Sequence, residues 1–152
     1  MKMYQLERTQ FLPISIDYAW KFFSKAENLQ SITPNYMNFK ITNSPGKDIY
    51  SGQLITYKVS PLFSVPISWV TEITHVIDGH YFVDEQRFGP FKFWHHQHHF
   101  VETDSGTKMT DLLHYRLPFS VVGQATHKLI VKKSINDIFD HRHQVLKARF
   151  AE

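Results

Sequence analysis

The sequence predicts an α+β fold of the helix-grip type: a seven-stranded curved antiparallel sheet wrapped around a long C-terminal helix, with two short helices after the first strand. Three observations predict it. From Met37 to Leu117 apolar residues recur mainly at every second position, the period of a half-buried strand. After Pro118 the period becomes helical. The turns between the strand candidates are short, which leaves antiparallel neighbours as the way to join them.

Met3 to Leu12 reads as the first strand, ending at Pro13. Ser15 is placed to cap a short helix through Ala19, Trp20, Phe22 and Phe23. A second helical turn, Glu27 to Ser31, stops before Thr33-Pro34, because the residue ahead of proline resists helical geometry. Strand candidates then follow at Met37–Thr42, Gln53–Ser60, Val65–Ile77, His80–Phe88, Phe91–Glu102 and Thr107–Leu117. They are punctuated by Ser44-Pro45-Gly46, Asp78-Gly79, Gly89-Pro90 and Asp104-Ser105-Gly106. Beyond Pro118, Val131, Ile135, Ile138, Phe139, Arg142 and Leu146 fall near one helical face, and Lys132, Lys133, Asp137, Asp140 and Lys147 mostly on others. This predicts an amphipathic helix of about 25 residues from near Val122.

Composition bounds the function. The 152 residues suit one domain, 1–152, with no linker or repeat. Cysteine is absent, which excludes disulfides, thiolate metal sites and cysteine nucleophiles. The net charge of +3 comes from scattered basic residues, not a stripe, so no nucleic-acid partner is expected. No apolar run approaches a transmembrane segment, and Met1 to Gln10 lacks a signal-peptide core, so a cytoplasmic location is expected. No cofactor is expected. Aromatic residues reach 15%, enough to fill a core or to line an apolar pocket.

The order of elements and the motifs resemble the START-like/Bet v 1-like superfamily, in particular its bacterial SRPBCC ligand-binding branch related to polyketide cyclases. The likeness is carried by Pro13, Trp20-Lys21-Phe22-Phe23-Ser24, Asn28-Leu29 and Thr33-Pro34. It continues through Asp84, Gln86, Gly89-Pro90-Phe91, Trp94, His95-His96, His98 and Phe100, then Gly106-Thr107, Met109, Asp111, Tyr115 and Leu117-Pro118-Phe119. The resemblance implies a helix-grip fold around a hydrophobic cavity for lipids, polyketides, quinones or hormones. It implies no single activity, since this fold hosts carriers, sensors and enzymes.

The run Phe93-Trp94-His95-His96-Gln97-His98-His99-Phe100 is the most informative. Alternation puts Trp94, His96, His98 and Phe100 on one strand face and His95, Gln97 and His99 on the other, which is expected to be solvated. A turn at Thr103 to Gly106 sets Phe100 opposite Met109, His98 opposite Asp111, His96 opposite Leu113 and Trp94 opposite Tyr115. An apolar wall of Trp94, Phe100, Met109, Leu113 and Tyr115 then surrounds a polar patch of His96, His98 and Asp111. Whether Asp84 and Gln86 join it depends on the Gly89-Pro90 turn.

Three readings of the patch stay open. His98 and Asp111 form a satisfied internal pair; the group orients the polar end of an apolar ligand; or His96, His98 and the facing carboxylate hold a metal ion. The first two take precedence, and no metal is expected. The expected ligand-binding residues are Trp69, Trp94, His96, His98, Phe100, Met109, Asp111, Leu113 and Tyr115. His98 and Asp111 are the candidate catalytic residues should the pocket carry out cyclase- or dehydratase-like acid–base chemistry.

Trp69, Ile73, Ile67 and Ile77 make one apolar strand face, expected to be core more than ligand contact. Trp20, Phe22 and Phe23 are expected to anchor the short helices. Phe63 in its proline-flanked loop, with Ile32-Thr33-Pro34 opposite, is a candidate pocket mouth. Arg142 is expected to snorkel outward rather than meet a ligand carboxylate. The leading expectation is binding or carriage of a small hydrophobic ligand in an internal cavity; the alternatives are an enzyme in the same pocket and a protein-interaction module.

Overall fold

A computed structural model describes residues 2–43, 46, 48–61, 64–118 and 124–151, without the side chains of 124–128. Strand β1 (Tyr4–Leu12) leads into helices α1 (Ile16–Phe23) and α2 (Ala26–Ser31). A 3₁₀ turn at Asn35–Met37 precedes β2 (Lys40–Ile41), β3 (Gln53–Val59), β4 (Ile67–Ile77), β5 (Tyr81–Phe88), β6 (Phe93–Thr103) and β7 (Gly106–Arg116). Helix α3 (Gln124–Phe150) follows. The seven strands form one antiparallel sheet in the order β1-β7-β6-β5-β4-β3-β2. This is the helix-grip arrangement.

Local chemistry accounts for the entry into α1. The Ser15 hydroxyl accepts the Tyr18 N–H at 3.3 Å, while Asp17 in the first turn and Lys21 in the last complement the helix dipole. The β6–β7 register matches the alternation pattern pair by pair, including His98 opposite Asp111 and Trp94 opposite Tyr115. Thr103 and Gly106 pair at the end of that hairpin. A side chain at Gly106 would run into the Leu12 carbonyl of β1.

Three expectations are corrected. The strand predicted over Met37–Thr42 shrinks to two residues, because Pro34 starts a 3₁₀ turn and Asn38 ends it with φ 46°, a left-handed conformation asparagine tolerates. Ile77 is exposed, because a register irregularity between Ile73 and His75 switches the strand's faces and turns Val76 toward the core instead. Arg142 points inward and is buried. The loop position of Phe63 and the helix start near Val122 lie outside the described residues.

Helix α3 lies against the concave face through Ile135, Phe139, Arg142, Leu146 and Phe150, spaced at the helical period and all buried. At one end Leu146 and Phe150 join Leu12, Ala19, Phe82, Phe100 and Met109 in a packed core, with Trp20, Phe22 and Phe23 against it. Toward the other, Ile135 and Phe139 pack with Leu113 and Tyr115. Between sheet and helix the packing leaves a gap.

Candidate functional site

That gap is a cavity of about 400 Å³, within the roughly 300–1,000 Å³ of small-molecule sites. Its walls are mostly apolar: Phe22, Phe23 and Leu29 from the short helices, Phe39 from the segment before β2, Ile55, Tyr57, Trp69 and Ile73 from β3 and β4, and Ile135, Ile138 and Phe139 from α3. Ile32 and Thr33 of the expected mouth also line it. The ionisable groups Asp84, His96, His98 and Arg142 form one polar patch of the wall, and Lys25, Asn28, Thr33, Thr71 and Ser134 add polar side chains elsewhere on the lining.

Four of the expected ligand contacts, Trp69, Trp94, His96 and His98, face the cavity. Phe100, Met109, Asp111, Leu113 and Tyr115 share the inner sheet face, yet they are not on its lining. Phe100 and Met109 are sealed under α1 by Leu12, Trp20 and Phe23. Leu113 is fully buried, and Tyr115 stacks on Tyr4 with ring centres 5.4 Å apart. Cavity residues that strand alternation did not single out are Tyr57, Phe91 and Thr71. Tyr57 sits in phase with Gln53, Ile55 and Val59, so the period of β3 carried that signal.

The Gly89-Pro90 turn separates Asp84 from Gln86. Asp84 pairs directly opposite His96 and reaches the polar patch. Gln86 instead turns its amide back to Phe91, donating to the carbonyl at 2.7 Å and accepting the N–H at 3.1 Å. This holds Phe91 in the cavity wall. Gly89 is required beneath it, since a Cβ there would sit 2.5 Å from the Gln86 Oε1.

Asp84, His96, His98 and Asp111 close into a ring across three adjacent strands. Asp84 Oδ2 lies 2.7 Å from His98 Nε2 and 3.4 Å from His96 Nδ1. Asp111 Oδ1 lies 2.9 Å from His96 Nε2 and 2.9 Å from His98 Nδ1. The last contact is off the line of a hydrogen bond, so His98 Nδ1 is buried with no hydrogen-bond partner. The imidazoles lie over each other at 3.9 Å, with Phe82 stacked on His98 at 4.2 Å.

Electrostatics distinguish the four groups. Burial opposes ionisation of Asp84 and Asp111, but the adjoining imidazoles outweigh it and hold both carboxyls below their ordinary range. Burial, with the neighbouring charge on His98, lowers His96. Burial likewise disfavours charge on His98, but the two carboxylates prevail and raise it. Of the two imidazoles, His98 therefore holds a proton the more readily. With Arg142 charged, a proton on His98 would bring the cluster to neutrality.

Arg142 comes from α3 and completes the patch. Its guanidinium lies over the Phe139 ring at 5.0 Å and 3.9 Å from Asp111 Oδ1, too far for a direct hydrogen bond, and its Nε is buried without a partner. Beside the patch, Thr71 Oγ1 receives the Trp69 indole N–H at 3.1 Å and lies 3.0 Å from the Tyr57 hydroxyl. Burial and then the charge of Asp84 raise Tyr57, keeping it a neutral hydroxyl. On the outer sheet face His95 and His99 are half-buried rather than fully solvated. His95 pairs with Glu85 at 2.6 Å, and His99 with Gln97 at 2.8 Å.

Residues 35–150 match the family model described as a domain of unknown function, DUF8410. The chain belongs to the DUF8410 family. No curated protein matches this DUF8410 chain. Among solved structures, the Zhui aromatase/cyclase from Streptomyces sp. R1128 aligns with TM-score 0.77 at 9% identity, covering 97% of this chain and 93% of that one. Protein Ms6760 from Mycobacterium smegmatis aligns with TM-score 0.68 at 16% identity, over 95% and 88% of the two chains. The major latex-like protein 151 from Panax ginseng aligns with TM-score 0.66 at 13% identity, over 99% of each. At such identities the likeness is one of fold, the helix-grip architecture described above. No helix among the described residues is long and apolar enough to cross a membrane.

Proposed function

We propose that this protein binds a small, mainly hydrophobic ligand with one polar end, enclosed between the sheet and α3. A single observation carries the reading: a largely apolar cavity of about 400 Å³ has one cluster of ionisable groups on its wall, Asp84, His96, His98 and Arg142, with Lys25 lining it separately beside the short helices. Apolar walls supply binding energy in proportion to the surface removed from water, and a few convergent polar groups fix orientation. Trp69, Trp94, Tyr57 and Phe139 clasp the apolar body, while the ring and Arg142 meet the polar end. Asp111 acts from behind, holding His96. The interaction-module reading needs a cavity filled by the protein's own side chains, and this one is open.

Native mass spectrometry of freshly purified protein tests the proposal, followed by analysis of what denaturation releases. The expected result is an organic molecule at near-equal stoichiometry, or uptake of an added apolar probe that Trp69→Ala weakens. A chain that neither retains nor takes up an apolar molecule would sink the reading.

A second reading is favoured by one feature, two imidazoles 3.9 Å apart on one cavity wall whose surroundings push them in opposite directions, His96 toward the neutral form and His98 toward the protonated one. An acceptor and a donor facing the same space are what proton-transfer steps of a cyclisation or dehydration require. The expected signature is turnover of the bound molecule that His98→Ala abolishes while the molecule still binds.

A further inference from the structure

We propose that Asp84, His96 and His98 form a binding site for a divalent transition-metal ion on the cavity wall, with Asp111 as the carboxylate that orients both imidazoles from behind. This site stands independently of which organic molecule fills the cavity. No metal is expected from sequence, and the donor set differs from the one weighed there, because the ligating carboxylate comes from β5 rather than β7.

Geometry makes the first argument. Asp84 Oδ2, one nitrogen of His96 and one of His98 lie within 4.8 Å of one another. Metal–ligand distances of about 2.0–2.2 Å bring tetrahedral donors to roughly 3–3.6 Å apart. Of the observed separations from Asp84 Oδ2, the 3.4 Å to His96 Nδ1 falls within that range and the 2.7 Å to His98 Nε2 lies just below it. Side-chain shifts of less than an ångström would accommodate an ion.

The nitrogens on the far sides of the rings make the second. Metal-bound histidines almost always give their remaining N–H to a carboxylate, carbonyl or water. Here His96 Nε2 and His98 Nδ1 both lie 2.9 Å from the same Asp111 oxygen. His98 Nδ1 has no hydrogen bond in the present arrangement. A ring held at Nε2 by an ion can turn Nδ1–H into line with Asp111, satisfying the buried atom that the ion-free ring leaves unsatisfied.

Position and charge make the third. Asp84, His96 and His98 line the cavity and Asp111 does not, so the vacant coordination positions of a three-ligand ion open onto the cavity. Two buried carboxylates call for two positive charges. Arg142 supplies one, and a divalent ion supplies the other with one to spare for an oxygen donor on a bound ligand. Two imidazoles and one carboxylate, without thiolate, suit zinc or ferrous iron rather than calcium or magnesium.

The rival arrangement is a ring of ion pairs complete in itself, and metal titration separates the two. Full-length protein stripped with EDTA is mixed with equimolar Zn(II) or Co(II), passed through a desalting column and analysed for metal. The expected result is about one ion per chain, with the visible bands of low-coordinate cobalt. Asp111→Asn should weaken binding by about 10–100-fold, and Asp84→Asn and His98→Gln should weaken it further. Since these variants risk unfolding, the unaltered chain gives a second readout: Zn(II) should shift the imidazole NMR signals of His96 and His98. Loss of all metal on the column overturns the proposal. So does binding that survives Asp84→Asn and His98→Gln, or that shifts instead the exposed His75, His80 and His143.

Discussion

Asp111 is buried on a strand whose inner neighbours are Met109 and Leu113, where an unpaired carboxylate would be costly. It is tolerated because His96, His98 and Arg142 surround it. Removing it leaves Asp84 as the one carboxylate against three basic groups, with His96 Nε2 and Arg142 losing their acidic neighbour. Asp111→Ala is therefore expected to lower stability by about 3–5 kcal/mol, read from urea unfolding of metal-free protein. Thermal melting that stays unchanged would mean water or relaxation compensates. The same ring sets a pH profile. His98 is raised above its ordinary 6.5, so its contribution is complete below 6.5 and is lost as pH rises through the folded value. His96 is lowered, so its contribution is complete above 6.5 and is lost as pH falls through its own folded value. Asp84 and Asp111 are depressed below 3.8 and add a further loss in stronger acid. Stability of the metal-free chain should peak near pH 6.5 and decline over the interval above it as His98 loses its proton, and His98→Gln should flatten that alkaline limb. A wild-type plateau over that interval would show that His98 is not the protonated member.

Elements were legible where their period was long and their turns unambiguous. The β6–β7 hairpin was read to the residue pair because eleven alternating positions run into one tight turn, and a slip of one residue would have exposed Phe100 and Met109. The β4 strand shows the limit. One irregularity after Ile73 reverses the faces of everything beyond it, and no glycine or proline marks the place. Side-chain direction at a turn was equally hidden: Asp84 and Gln86 have the same parity, yet Gln86 is claimed by the backbone of Phe91. This hold is open to test. In Gly89→Ala the new methyl group displaces the Gln86 amide. The variant should lose about 0.5–1.5 kcal/mol, as expected when a part-buried hydrogen-bonded contact is broken. It should also take up an apolar probe less tightly, because Phe91 is released. Undiminished stability and uptake would show that Gln86 does not position the cavity wall.

At the scale of the whole molecule, the cavity follows from how far α3 stands off the sheet. Alternation identified the inner-facing residues but not which of them meet the helix or the short helices. Phe100 and Met109 are covered by α1, whereas Trp69 and Trp94 remain on the open space. Arg142 was misjudged for the same reason: a long cationic side chain ordinarily reaches for water, but the two aspartates lie across the gap from it. Ser134 allows the cavity itself to be tested. It lines the space from α3, and among the described residues its side chain is tied by a 3.4 Å contact to the Pro61 carbonyl. Ser134→Phe should project a ring into the void from a helix position that needs no backbone change. Filling a cavity commonly stabilises by about 0.5–2 kcal/mol, so this variant should melt at or above the parent temperature while apolar-probe uptake falls at least tenfold. The ring of Asp84, His96 and His98 lies on other elements, so a metal ion bound there should be retained by the variant. Uptake that persists in a stably folded Ser134→Phe protein would place ligand binding somewhere other than this cavity.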